Sequence, residues 1–166
     1  MNVSHEVDLL RFLFGEITRI AGLGGNPVRR AARVESGAAV LEFASGLTAS
    51  VTFADTTPSV WGFEHGTGEN PNIAHTGQDS LRIAGTEGAI GFPSLTVWSG
   101  AKDWSQAPTP HENTAPDGTP LVLQLEHFAR VIAGMEAPLN DARSGRATIA
   151  ATLDIERATW PRGVAA

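Results

Sequence analysis

The sequence predicts an α+β fold, a largely antiparallel (mixed) open β-sheet with helices packed on one face, in a single domain spanning residues 1–166. Three observations lead there. The opening segment has apolar residues at helical spacing, the middle of the chain has short β-branched runs punctuated by Gly and Ser, and helical spacing returns after Pro120. Strands grouped between helices are not the βαβ alternation that builds a parallel nucleotide-binding sheet. With 166 residues, 42 % of them hydrophobic and 18 % charged, the chain has the length and composition of one globular domain with a real core.

In MNVSHEVDLLRFLFGE, Val3, Val7, Leu10 and Phe14 fall on one helical stripe. Leu9, Phe12 and Leu13 widen it until only Asp8 and Arg11 share a polar sector, so this helix is expected to be buried around most of its circumference. Gly15 ends it. From Ile17 the pattern becomes extended, and Ala38–Phe43 with Leu47–Phe53 read as an antiparallel hairpin joined by Ala44, Ser45 and Gly46. Residues 55–79 show no steady period and hold two Pro, four Gly, two His and a Trp, the profile of either disorder or a binding loop. A second hairpin is expected around Gly85 to Gly88, followed by an exposed loop from Gly100 to Pro120. Leu121, Leu125, Phe128, Ile132 and Met135 then recur at helical spacing, with Gly134 as the stop. Asn140 or Asp141 caps a last helix whose expected stripe is Ile149, Leu153 and Trp160 beside Ala150. The sequence has no internal repeat.

Composition excludes several function classes. Lys plus Arg number 12 against 18 Asp plus Glu, a formal charge of -6, and no basic cluster offers a phosphate backbone a landing site, so no nucleic-acid partner is expected. The absence of Cys excludes disulfides, thiolate zinc sites and a Cys nucleophile. No apolar run approaches the roughly 20 residues of a membrane helix, and Glu6 and Asp8 stand where a signal peptide is basic, so a soluble cytoplasmic chain without a membrane partner is expected. Glycine, with 18 residues, is abundant but not arranged for a dinucleotide: AGLGGNP has Pro27 where a third glycine of G-x-G-x-x-G belongs, and EHGTGENP fails the same way at Pro71. No phosphate-binding G-x-x-x-x-G-K-[ST] or nucleophile-elbow G-x-S-x-G occurs. Gly85, Gly88 and Gly91 read as turn residues, and no cofactor-binding residue is assigned in this chain.

His5, near the start of the first helix with Glu6 and Asp8 close by, is a candidate acid/base because imidazole titrates near neutrality; a satisfied or exposed structural histidine is its ordinary alternative. His65 and His75 share the long loop with Glu64, Glu69 and Asp79, but no compact H-x-H or H-E-x-x-H spacing supports a metal, and none is expected. His111 falls in the Pro/Thr-rich stretch and His127 on the penultimate helix, both expected to face solvent. Trp61, Phe63 and the GTGENP that follows supply an aromatic and polar groups able to stack on a sugar face; a Trp pinning the loop to the sheet reads equally well.

Several of these segments together resemble one family. VSHEVDLLRFLFGEI is similar to the segment that opens the C-terminal domain of the glucose-fructose oxidoreductase, inositol dehydrogenase and rhizopine-catabolism (Gfo/Idh/MocA) NAD(P)-dependent oxidoreductases. WGFEHGTGENPN, DSLRIAGTEGAIGFPSLTVW and LVLQLEHFARVIAGMEAPLNDARSGRATIAATLDI follow that domain in order, from about Val3 to Ile155. The resemblance implies a two-domain enzyme in which a Rossmann domain binds the nicotinamide and an α+β domain shapes the substrate pocket and the oligomer interface. In such enzymes the histidine of a D-x-x-x-H-x-x-D pattern acts on the substrate hydroxyl, and His5 takes that place. The carboxylate four residues earlier corresponds to Met1, and the Rossmann domain with its catalytic lysine would lie upstream.

Hydride transfer needs a bound nicotinamide against the substrate carbon. The expected function is therefore the substrate-side and oligomerisation domain of an NAD(P)-dependent sugar or polyol oxidoreductase, truncated relative to its family and inactive alone, with NAD(P) expected only alongside a complete Rossmann domain. Its expected residues are His5 for acid/base work and Trp61, Glu64 and Asn70 for a sugar- or polyol-like ligand, and its expected partner is a second copy through the sheet face. The alternative is a non-enzymatic sugar-binding or partner module. A metal-assisted hydrolase on His65 and His75, and catalysis in trans with a separate Rossmann chain, are weaker readings.

Overall fold

The computed structural model describes residues 3–30, 32–116 and 118–160. In chain order its elements are α1 (Ser4–Phe14), β1 (Ile17–Gly25), β2 (Ser36–Phe43), β3 (Thr48–Ala54), α2 (Phe63–Thr67), β4 (Leu81–Ala84), β5 (Gly88–Phe92), β6 (Val97–Ser99), β7 (Thr109–His111), α3 (Pro120–Ile132) and α4 (Ala142–Thr159). The α+β class and the antiparallel pairing follow the sequence expectation, with the strands divided between two sheets. The chain forms two compact units, Met1–Pro58 with Leu139–Ala166, and Ser59–Pro138.

The first unit holds the sheet β1-β2-β3, and its β2–β3 hairpin turns through Gly46 with Glu42 opposite Thr48, as the sequence predicts. Along β2, Ala39, Leu41 and Phe43 are buried while Val40 is exposed, the alternation of a sheet covered on one face. The cover is α4, which packs on β1 and on α1. Gly22 and Gly24 explain how a helix comes so close. A Cβ on Gly22 would stand 2.6 Å from Thr159 Cγ2 and 2.8 Å from the Ala38 carbonyl oxygen, and one on Gly24 would meet Val34 Cγ1 at 2.7 Å. These glycines are absent side chains for packing.

Two helix faces differ from expectation. In α1 the buried residues are Val7, Leu10 and Arg11, whereas Phe12 and Leu13 are exposed. Only one sector of the helix meets α4, and Arg11 enters that sector because its guanidinium finds acceptors there. In α4 the buried residues are Thr148, Ile155 and Thr159, not Ile149 and Leu153. The glycine-lined floor of β1 admits close approach. Thr152 Oγ1 donates to the Thr148 carbonyl at 2.9 Å and Thr159 Oγ1 to that of Ile155 at 2.8 Å within the helix, while the Thr148 hydroxyl donates to Asp8 at 2.6 Å. Asp141 caps α4 as predicted, accepting from the Ser144 N–H at 2.8 Å.

The second unit holds the sheet β4-β5-β6-β7. Its β4–β5 hairpin pairs Leu81 with Phe92 and Ala84 with Ala89, turning where the sequence places the turn. The long segment before it contains the short helix α2, anchored by Phe63 stacked on Phe92 with centroids 5.8 Å apart. Gly91 lies inside β5, not in a turn: a Cβ there would run into the Asp79 carboxylate, which accepts from Ser94 N and Oγ. His111 belongs to β7, an edge strand within the stretch expected to be loop. Helix α3 begins at Pro120 as predicted and ends in a Schellman turn, with Gly134 at φ 70°, its N–H on the Val131 carbonyl and the Met135 N–H on that of Arg130. No residue of α3 is buried. Among the described residues no helix is long and apolar enough to cross a membrane.

Candidate functional site

His5 lies in the first turn of α1 with its side chain exposed. One turn further along, Asp8 is held on two sides, accepting from Thr148 Oγ1 at 2.6 Å and from Asn140 Nδ2 at 3.0 Å. Thr148 Oγ1 also accepts from Arg11 Nη1 at 2.7 Å, and the same Nη1 donates to the Ser144 carbonyl at 3.0 Å. Arg11 Nη2 completes the chain on Glu16 Oε1 at 2.6 Å. One run of polar contacts thus fixes the helix that carries His5 against α4. Charge-assisted bonds from a buried guanidinium are strong and directional, so this network sets the pitch and rotation of α1. Sequence reading misses it because Arg11 and Asp8 look like a solvated sector, and because its threonine partner is 140 positions from Asp8.

The three expected ligand-binding residues belong to the second unit. Trp61 is 62 % exposed, so it does not pin the loop; Phe63 does that. Its backbone N–H is held by Ser59 Oγ at 3.2 Å. Glu64 and Asn70 come together, Asn70 Nδ2 donating to Glu64 Oε1 at 3.2 Å, while Asn70 Oδ1 accepts from the Asn72 N–H at 3.1 Å. Glu64 and Asn70 thus form a hydrogen-bonded pair, and the exposed Trp61 lies three residues before Glu64 in the sequence. His5 is not among these residues; it stands in the first unit.

The remaining histidines have structural surroundings. His75 Nε2 lies 3.0 Å from the Gly66 carbonyl oxygen, and the His65 carbonyl accepts from the Thr76 N–H at 2.8 Å. His127 is half-buried, not free in solvent, with Nδ1 2.8 Å from Glu136 Oε2; Arg130 Nε donates to Glu136 Oε1 at 2.7 Å. Those two partners hold the Glu136 carboxyl below its ordinary pKa. Among the described residues no group of three or more His, Asp or Glu is arranged to hold a metal ion.

Residues 2–91 match the model of the GFO/IDH/MocA C-terminal domain. The chain belongs to that family. Solved structures show the same Gfo/Idh/MocA fold at low identity. UDP-N-acetylglucosamine 3-dehydrogenase GnnA from Acidithiobacillus ferrooxidans is 17 % identical with a TM-score of 0.68, the match covering 95 % of this chain and 45 % of that one. The WlbA dehydrogenase from Bordetella pertussis, solved with NADH and UDP-GlcNAcA, is 22 % identical with a TM-score of 0.57, covering 99 % and 43 %. An oxidoreductase from Thermotoga maritima is 18 % identical with a TM-score of 0.60, covering 93 % and 39 %. The chain therefore spans less than half the length of these structures. No curated protein matches the sequence.

The glycine-rich Gly22–Gly25 lies in β1, with Gly22 and Gly24 packed against Thr159 and Val34, and the next element in the chain is strand β2 rather than a helix whose N–H groups could meet a pyrophosphate.

Proposed function

We propose that this chain is the substrate-side and assembly domain of an NAD(P)-dependent oxidoreductase acting on a sugar or polyol, and that it does not transfer hydride alone. One observation carries this reading: among the described residues every fully buried apolar side chain belongs to the first unit, while α3 in the second leaves Leu121, Leu125, Phe128 and Ile132 exposed. Apolar surface of that extent on a soluble domain marks a face made for contact. In the proposed enzyme a Rossmann domain supplies the nicotinamide, His5 moves a proton at the substrate hydroxyl, and the Arg11–Thr148–Asp8 network holds His5 in place. The nucleotide sugars in the names of the similar structures support the substrate class.

Assembly of two copies is proposed through the open face of the first sheet, where Leu23, Ala38 and Val40 lie uncovered beside the Arg19–Glu42 ion pair of 3.0 Å. Flat, small-residue sheet faces of this kind suit an isologous contact. Calorimetric titration of the full chain with NADH tests the first part. No saturable heat is expected, and binding at about micromolar Kd, worth about 8 kcal/mol, would overturn it.

A second reading, a sugar-binding module without catalysis, is favoured by the exposed Trp61 and by the Glu64–Asn70 pair on the same segment. A polyol series in a thermal-shift assay separates the two, because a ligand specific for the native state raises Tm in proportion to its excess over Kd. Loss of that shift in Trp61→Ala locates the site, and a shift unchanged by Trp61→Ala removes Trp61 from it.

A further inference from the structure

A cleft of about 290 Å³ opens in the first unit, between the end of α1, the start of β1 and the exposed side of α4. Ile17, Ile20, Ala147, Ala150 and Ala151 make its floor apolar, and four charged side chains, Arg11, Glu16, Arg146 and Asp154, line the rest. Three of these charges are already compensated: Asp154 is paired with Arg157 at 2.6 Å, and Glu16 and Arg11 are paired with each other at 2.6 Å. Arg146 has no ion-pair partner among the described residues, so the cleft presents one uncompensated cation above an apolar floor.

Arg11 adds a second, independent observation. Its residue is 8 % exposed and its Nε–H is buried without an acceptor, although Nη1 and Nη2 are both bonded. Nε and Nη2 form one edge of the planar guanidinium, the edge that takes a carboxylate through two parallel bonds. Glu16 engages that edge through Nη2 alone, and its own side chain is 68 % exposed. An incoming carboxylate would take over the bond that Glu16 gives up, and the largely exposed Glu16 carboxylate would return to water.

We propose that this cleft binds a small amphipathic carboxylate, its short aliphatic tail on Ile17, Ile20 and the alanines and its carboxylate displacing Glu16 from the Nε–Nη2 edge of Arg11 while facing Arg146. The volume of about 290 Å³ falls just below the range of drug-sized ligand sites, which begins at about 300 Å³, so a short acid fits and a bulky one does not. This site is separate from Trp61, Glu64 and Asn70 and does not depend on the sugar reading.

The test is a titration of the ¹⁵N-labelled full chain with hexanoate, and in parallel with hexanamide, followed at the arginine Nε–H resonances. Hexanoate is expected to shift Arg11 and Arg146 saturably and hexanamide is not. Arg146→Gln is expected to weaken hexanoate about tenfold, the worth of one charge-assisted contact. Glu16→Gln, which removes the competing carboxylate, is expected to tighten it several-fold while the melting temperature confirms that the variant is folded. Equal response to the amide, no saturation, or an affinity unchanged in both variants would overturn the proposal.

Discussion

Helices α3 and α4 carry the same kind of signal and meet opposite ends. Both have large apolar residues at helical spacing, yet α4 buries Thr148, Ile155 and Thr159 on a glycine-lined strand, whereas α3 buries nothing. The contrast extends to the units that hold them, since Val7, Leu10, Val34, Leu41, Phe43 and Ile155 form a core in the first unit and the second has no fully buried apolar side chain among its described residues. Periodicity identifies a helix and its apolar arc; it does not say whether that arc meets this chain or something else.

Truncating apolar side chains on the two helices should have very different costs. Ile155→Ala, at a site with no exposure, is expected to cost about 2–5 kcal/mol in urea unfolding. Gly24→Val places a Cβ against Val34 and the Thr159 backbone and is expected to cost about 1–3 kcal/mol, with α4 loosened from β1 in hydrogen exchange. Asp141→Ala, which removes the cap on the Ser144 N–H, is expected to cost about 1 kcal/mol. Phe128→Ala, on the exposed arc of α3, is expected to change unfolding by no more than about 0.5 kcal/mol. A loss there as large as at Ile155 would show that α3 is covered within this chain.

The smallest expected effect is a pH dependence confined to the end of α3. Glu136 has its pKa lowered by His127 and Arg130, so its contribution is present above the ordinary carboxylate pKa and is lost as pH falls through the lowered folded value. Melting curves of wild type and Glu136→Gln should differ near neutrality and converge in acid. Curves that stay parallel down to the acid limit would show that the Glu136 contacts do not form in solution.

Much of this architecture is legible in the sequence because it is local. The hairpin at Gly46, the turn between Ala84 and Gly88, the start of α3 at Pro120 and the Asp141 cap each depend on a few adjacent residues whose backbone preferences decide the outcome. The buried side of a helix is not local. Arg11 reads as solvated until Ser144 and Thr148 arrive from the far end of the chain, and Ile149 and Leu153 read as core until Gly22 and Gly24 show that the strand beneath α4 accepts small residues. Trp61 illustrates the same limit, since an aromatic in a loop is equally ready to anchor or to bind, and only the fold shows Trp61 exposed and Phe63 stacked on Phe92. The network that joins Asp8 and Arg11 of the His5 helix to α4 is seen only in the fold.

If the open sheet face of this Gfo/Idh/MocA domain holds a second copy, as proposed, light scattering of the full chain at high concentration should give a dimer or larger assembly, reduced towards the monomer by Val40→Glu on that face. A strictly monomeric mass would overturn the proposed assembly.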